Sequence, residues 1–181
     1  MVRFECNDYS VPVRWAHHPV VAKGYVDRVD ICHKEKRIAT HERLCGKEDV
    51  CFEPVHCLAL LERKPGALDH ARPLEGWLLA ECFAVLRRRL EGERQGEGTR
   101  QYIRVLRLLE EHTLPELTRA VEKGLRCGAL TRDAVAQFLI PHVPWRQTTF
   151  RLDGHEHLRW VKVAQTDVSH YRALLGAGGE R

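Results

Sequence analysis

A chain of 181 residues has room for one or two compact domains, and 44% hydrophobic with 30% charged residues is a folded globular composition, which excludes a disordered chain. A net charge of +4, from 29 basic against 25 acidic residues, is compatible with nucleic acid but on its own describes a mixed-charge surface. No run of about 18 apolar residues occurs, which excludes a membrane-spanning helix, and Met1-Val2-Arg3-Phe4-Glu5 lacks a signal-peptide core, so the expected address is cytoplasmic.

Residues 2 to about 41 read as short strands. Val2, Phe4 and Cys6 alternate with Arg3 and Glu5, a period of two that buries one face. Asn7-Asp8 is expected to turn the chain, because short polar side chains bond their own backbone. Val11, Val13 and Trp15 resume the alternation, with Pro12 marking an edge, since proline cannot donate to a ladder. Val20 to Lys23 and Tyr25 to Ile31 flank Gly24, and His33-Lys34-Glu35-Lys36 makes a polar turn before Arg37-Ile38-Ala39-Thr40. Five short strands with tight turns predict a small, closed or partly closed barrel over residues 1–50.

The pattern becomes helical beyond residue 50. Pro54 opens a short helix through Leu61, which Lys64-Pro65-Gly66 ends, within a linker over 51–77. From Leu78, apolar Leu79, Cys82, Phe83, Leu86 and Leu90 recur at helical spacing. Glu91 to Gly98 reads as a loop, and Thr99 to Glu111 as a second helix. Thr113-Leu114-Pro115-Glu116 combines a hydroxyl cap, an early proline and a glutamate three residues on, the start of a third helix that Gly128 stops. Thr131 caps a fourth, reaching Leu139, so the helical domain spans 78–144. The tail, 145–181, is mixed: Thr149 to Leu152 reads as extended, Val168 to Leu175 as a short helix, and Gly176 to Gly179 as a frayed end. Its Trp145, Phe150, Leu158, Trp160, Val161 and Val163 either fold back on the bundle or dock on another protein. The predicted class is α+β.

Metal-dependent phosphoryl transfer needs converging carboxylates. Asp27 and Asp30 are expected on opposite faces of one strand, and the remaining aspartates lie outside any pattern that would build a catalytic sheet, so they read as solvated surface acids. His41, Cys45, Cys51, His56 and Cys57 are chemically suitable zinc ligands, but their spacing does not fit a finger or ribbon. His17-His18 and His155-x-His157 are weaker candidates, and no local motif supports a papain-like Cys-His pair. No cofactor is expected. The seven cysteines, an odd number, read as reduced, small, buried apolar side chains. A DNA-backbone surface is better supported: Arg3, Arg14, Lys23, Arg28, Lys34, Lys36 and Arg37 all fall in the β segment, interleaved with Glu5, Asp8, Asp27, Asp30 and Glu35. Arg87-Arg88-Arg89 is the densest basic run; on a helix it forms a band, with one stem serving packing.

Two stretches carry a family resemblance. Phe4, Asn7, Tyr9, Ser10, Val11 and Pro12 form Phe-x-x-Asn-x-Tyr-Ser-Val-Pro, and Pro65, Gly66, Ala67 and Leu68 lie within Leu60 to Ala71. Together they resemble the region after the catalytic domain of IstA-type, Mu-like insertion-sequence transposases, from Arg3 to roughly Leu175. Gly46-Lys47-Glu48 is similar to the family's Gly-Arg/Lys-Glu at the barrel's exit. The resemblance implies transposition: a recombinase that multimerises on DNA ends and works with an AAA+ helper ATPase of the IstB type. Neither the N-terminal helix-turn-helix nor the acidic triad of the family is recognised here, so the expectation is a non-catalytic fragment that contacts DNA backbone and assembles with its complex. The alternatives are a module that binds the helper ATPase, another copy or the full-length transposase, and a remnant of a mobile element.

Overall fold

The computed structural model describes residues 1–93, 96–141 and 154–162. Met1–His142 form one compact unit, containing both strands and helices, and Val143–Arg181 a second.

Strand β1 (Val2–Phe4) pairs antiparallel with β2 (Asn7–Tyr9), in the register Phe4↔Asn7. The turn between them is Glu5-Cys6, not Asn7-Asp8: both turn residues have positive φ, 46° and 63°, as a tight two-residue hairpin requires. Asn7 is in the strand because its side chain is committed to distant backbone and not to its own. Beyond Tyr9 the expected second strand does not form. Pro12 lacks an N–H and sits at φ −54°, ψ 134°, after which Val13–Trp15 make one 3-10 turn.

Strands β3 (Val21–Gly24), β4 (Arg28–His33) and β5 (Lys36–Glu42) form a second antiparallel sheet. The polar turn between β4 and β5 lies where the sequence indicates it, with Lys34 at φ 55°. β6 (Val50–Cys51) returns to the first sheet and pairs parallel with β2. The strands thus make two three-stranded sheets, in the orders β1-β2-β6 and β3-β4-β5, and do not close into the expected barrel. The break around Pro12 prevents β2 from continuing into β3, and β6 has only two residues with which to extend a ladder. The sheets still share one core, of Tyr9, Val29 and Ile31, with Phe4, Ala22 and Leu44 against it. Phe4's ring lies so close over Gly24 that a Cβ there would stand 2.4 Å from Cζ.

Helix α1 (Pro54–Arg63) opens with proline in its first turn, where the absent N–H costs nothing. Pro65–His70 follow as a 3-10 turn that buries Leu68. α2 (Glu81–Glu93) starts three residues later than Leu78, whose side chain is exposed. α3 (Gly98–Leu106) tightens into a 3-10 turn, Arg107–Glu110, before Glu111. α4 (Leu114–Cys127) has the complete capping box, Thr113 with Glu116, and ends on Gly128 at φ 69°. α5 (Arg132–Leu139) is capped by Thr131. Their shared core is aliphatic and aromatic, from Leu58 and Leu61 through Phe83, Leu86, Ile103 and Leu106 to Leu117 and Val121. α1 also packs on the Val13–Trp15 turn, which joins the strand and helix halves.

Glu156–Trp160 of the tail form a 3-10 turn with Trp160 exposed. The expected extended segment 149–152 and helix 168–175, with Trp145, Phe150 and Val163, lie outside the described residues. All seven cysteines are free, but Cys6, Cys45 and Cys127 are exposed rather than buried.

Candidate nucleic-acid interface

The seven basic residues singled out in the β segment do not form one patch. The register aligns Lys23, Asp30 and Thr40 across β3, β4 and β5, so they share a sheet face with Arg28, two residues before Asp30. Arg37 reaches the same aspartate, with Nη1 3.6 Å from Oδ2, while Arg28 Nε lies 3.7 Å from Oδ1. Thr40 Oγ1 donates to Oδ1 at 2.9 Å. Asp30 is therefore buried, 5% exposed, and not the solvated acid its residue type suggests; Asp27 precedes β4 and lies outside it. Lys23, Arg28 and Arg37 stand around one buried carboxylate, and Arg28 also stacks over Tyr25, 4.5 Å from the ring centroid. Lys34 is in the β4–β5 turn and Lys36 opens β5, both at the end of this sheet. Arg3 is on the other sheet, opposite Asp8. Arg14 is in the 3-10 turn and lines a cleft of about 350 Å³ with His56 and Arg107.

The Phe4-to-Pro12 motif points inward. Asn7 is 1% exposed; its Nδ2 donates to Leu44 O at 3.1 Å and Gly46 O at 3.0 Å, and its Oδ1 accepts from Asp49 N at 3.0 Å. Tyr9's hydroxyl accepts from Leu44 N at 3.0 Å. These bonds hold the Leu44-to-Asp49 loop, including Gly46-Lys47-Glu48, against β2. Ser10 Oγ accepts from Glu53 N at 2.8 Å and lies 2.9 Å from His56 Nδ1, tying the motif to the start of α1.

His41, Cys51 and His56 gather here. His41 Nε2 is 2.7 Å from Ser10 O, a carbonyl that only accepts, so Nε2 carries the proton. In the neutral ring Nδ1 is then an acceptor for the Cys51 thiol, 3.5 Å away. Burial, with Glu53 and Glu42 nearby, pushes Cys51 up and keeps that thiol protonated. His56 is pushed down to about 4, first by burial and then by His41, against its hydrogen bonding to Ser10. A neutral His56 accepts from Ser10's hydroxyl. The arrangement is a relay of hydrogen bonds joining strand to helix. Among the described residues, no three of His, Cys, Asp or Glu are arranged to hold a metal ion. Cys57 donates to Pro54 O and Cys45 is exposed in the loop.

In the second motif Leu68 is a core residue, and Asp69 accepts from Arg87 at 2.7 Å, which holds its carboxyl below the usual range. Arg87 also pairs with Glu91 at 2.8 Å. Of Arg87-Arg88-Arg89, the first is thus built into the bundle. A basic set that the sequence reading missed lies on α3 and the turn after it: Arg100, Arg104 and Arg107 follow at four- and three-residue steps around Glu62 of α1. Their signal was present as the i, i+4, i+7 spacing on one helix face.

Residues 1–53 match the model of the Mu transposase C-terminal domain. A transposase of Aminobacter aminovorans is 28% identical over 180 residues, 96% of this chain and 35% of that protein. The transposases for insertion sequences IS1326/IS1353 of Pseudomonas aeruginosa and of Shigella flexneri are each 31% identical over 144 residues, 77% of this chain and 28% of theirs. No solved structure matches. No helix among the described residues is long and apolar enough to cross a membrane. Over most of its length the chain is thus similar to insertion-sequence transposases, with its first 53 residues matching the Mu transposase C-terminal domain, and it spans about a third of the length of the curated relatives it matches.

Proposed function

We propose that this chain acts in DNA transposition as a non-catalytic part, gripping DNA by its phosphate backbone and holding a transposition complex together in the cytoplasm. The observation that carries the DNA half is the outer face of β3-β4-β5, where Lys23, Arg28 and Arg37 surround the buried Asp30. A rigid sheet fixes the cations, and Asp30 restrains two of the three guanidinium and ammonium groups, so less side-chain entropy is lost on contact with phosphate. Such a surface reads charge and not base sequence. The matched model is of a C-terminal domain, which supports an accessory role and not strand cleavage. The helical half supplies surface for an AAA+ helper ATPase or for further copies of the transposase.

A gel-shift titration with a mixed-sequence duplex tests this. If three phosphates are neutralised, affinity falls roughly 40-fold between 50 and 200 mM salt. Lys23→Ala with Arg37→Ala makes that dependence shallower. Absence of binding at low salt overturns the DNA reading. Metal-dependent nicking by the purified chain overturns the non-catalytic one.

A further inference from the structure

A charged concavity lies on the helices, away from the sheet. Arg100 and Arg104 of α3 and Arg107 of the following turn stack on one face. Arg63, in the last turn of α1, and Arg132, at the first position of α5, bring two more guanidinium groups to it. Two adjoining hollows of about 400 and 290 Å³, which share Glu62, Arg104 and Arg107 in their walls, make up this cleft. Glu62 is a wall of both hollows, its side chain 19% exposed, accepting from Arg104 Nε at 2.8 Å and Arg107 Nη1 at 2.6 Å. Arg104 engages Glu62 through Nε alone and lines both hollows. Arg100 Nε donates to Glu62 O, so a third guanidinium is oriented by the same residue.

We infer that this cleft is a second DNA-backbone site, with Arg63 and Arg100 at its rim and Glu62 holding Arg104 and Arg107 in place. This rests on the DNA reading above. Three features favour phosphate over a protein partner. Five guanidinium groups line the cleft with the carboxylates of Glu62, Glu110 and Glu111, while Glu97 pairs with Arg100 and Asp133 with Arg132 beside it, so Arg63 and the unbonded guanidinium edges are what an incoming phosphate would meet. Their planar forks match phosphate oxygens two at a time. Apolar lining is limited to Ala59 and Leu108, with no aromatic side chain, whereas protein interfaces are anchored by buried aromatic or aliphatic groups. Arg132, at the first position of α5, pairs with its neighbour Asp133 at 2.9 Å. Arg63 makes no ion pair among the described residues.

The test is fluorescence anisotropy of the full chain with a labelled mixed-sequence duplex of about 30 base pairs over a salt series, with thermal melts to confirm folding. Arg63→Ala with Arg100→Ala is expected to weaken binding about tenfold at 50 mM salt and to make the log–log salt slope shallower by about 2. Arg63→Ala alone, which breaks no ion pair, should lose about one slope unit and keeps the test valid if the double variant melts early. Arg119→Ala with Arg126→Ala removes the same charge from exposed positions on α4 and should change affinity less than about twofold. Wild-type binding that survives loss of Arg63 and Arg100 but not of Lys23 and Arg37 overturns the cleft and leaves the sheet. Equal loss in the α4 control replaces the site with diffuse charge. Failure of the wild type to bind any duplex at low salt overturns both readings.

Discussion

Asn7 is the side chain whose removal should tell most about the strand half. It bonds two carbonyls and one N–H of a loop 37 to 42 residues away, and it is buried. Asn7→Ala leaves those loop groups unpaired and should cost about 2–4 kcal/mol in urea unfolding, with Tyr9→Phe costing less because one bond is lost. His56 sets a pH dependence. Its folded value, about 4, lies below the ordinary 6.5, so between these limits the unfolded chain binds the extra proton. Stability is fully present above about 6.5 and is lost as pH falls toward 4, by about 1–2 kcal/mol once screening of this half-buried ring is allowed for. His56→Ala should flatten that part of the stability-against-pH curve; an unchanged curve would assign the dependence elsewhere. The motif itself was visible in the sequence, but its work was not. Asn7, Tyr9 and Ser10 act on Leu44, Gly46, Asp49 and His56, and periodicity carries no information about partners so far along the chain.

The same division holds for the elements. Local chemistry specified α4, because Thr113, Pro115, Glu116 and Gly128 each act within a turn of the helix end. It also specified the 3-10 segment after α1 as a break and the β4–β5 turn. Sheet closure was not legible, since it depends on whether the chain past Pro12 rejoins a ladder, and there a 3-10 turn competes with extended pairing. Asp30 is the counterpart at the candidate DNA face: its residue type reads as surface, and only the register of three strands buries it under Arg28 and Arg37. Two glycines separate spacing from packing. A Cβ on Gly98 would meet Leu90 O at 2.3 Å and Glu91 Cα at 2.6 Å, backbone atoms that cannot swing aside. Gly98→Ala should therefore destabilise by about 3 kcal/mol through forced separation of α2 and α3. Gly66, within the second family motif, has nothing within 4 Å of that position and no positive φ. Gly66→Ala should be neutral or stabilising by up to about 1 kcal/mol, by restricting the unfolded chain. Thermal melts of the two variants decide this, and equal effects would contradict the packing argument.

At the scale of the molecule, the strand and helix halves have separate cores but are fastened at one seam. Ser10 joins β2's continuation to His56 and to Glu53 N, and α1 packs on the Val13–Trp15 turn while its Leu58 and Leu61 enter the helical core. α1 thus belongs to both halves, and Met1–His142 should unfold as one cooperative unit, without a folded strand half surviving loss of the helices. Hydrogen exchange at graded urea, read by mass spectrometry, measures this at Ile31 in β4 and Ile103 in α3, both fully buried. The two amides should lose protection at the same urea midpoint at pH 7. Ser10→Ala removes the acceptor for Glu53 N and the hydroxyl facing His56, so it should lower both midpoints together if the seam transmits stability. Separation of the midpoints in the wild type would instead make the two cores independent, and the basic faces on the sheet and on α3 would then be carried by bodies free to bind DNA separately.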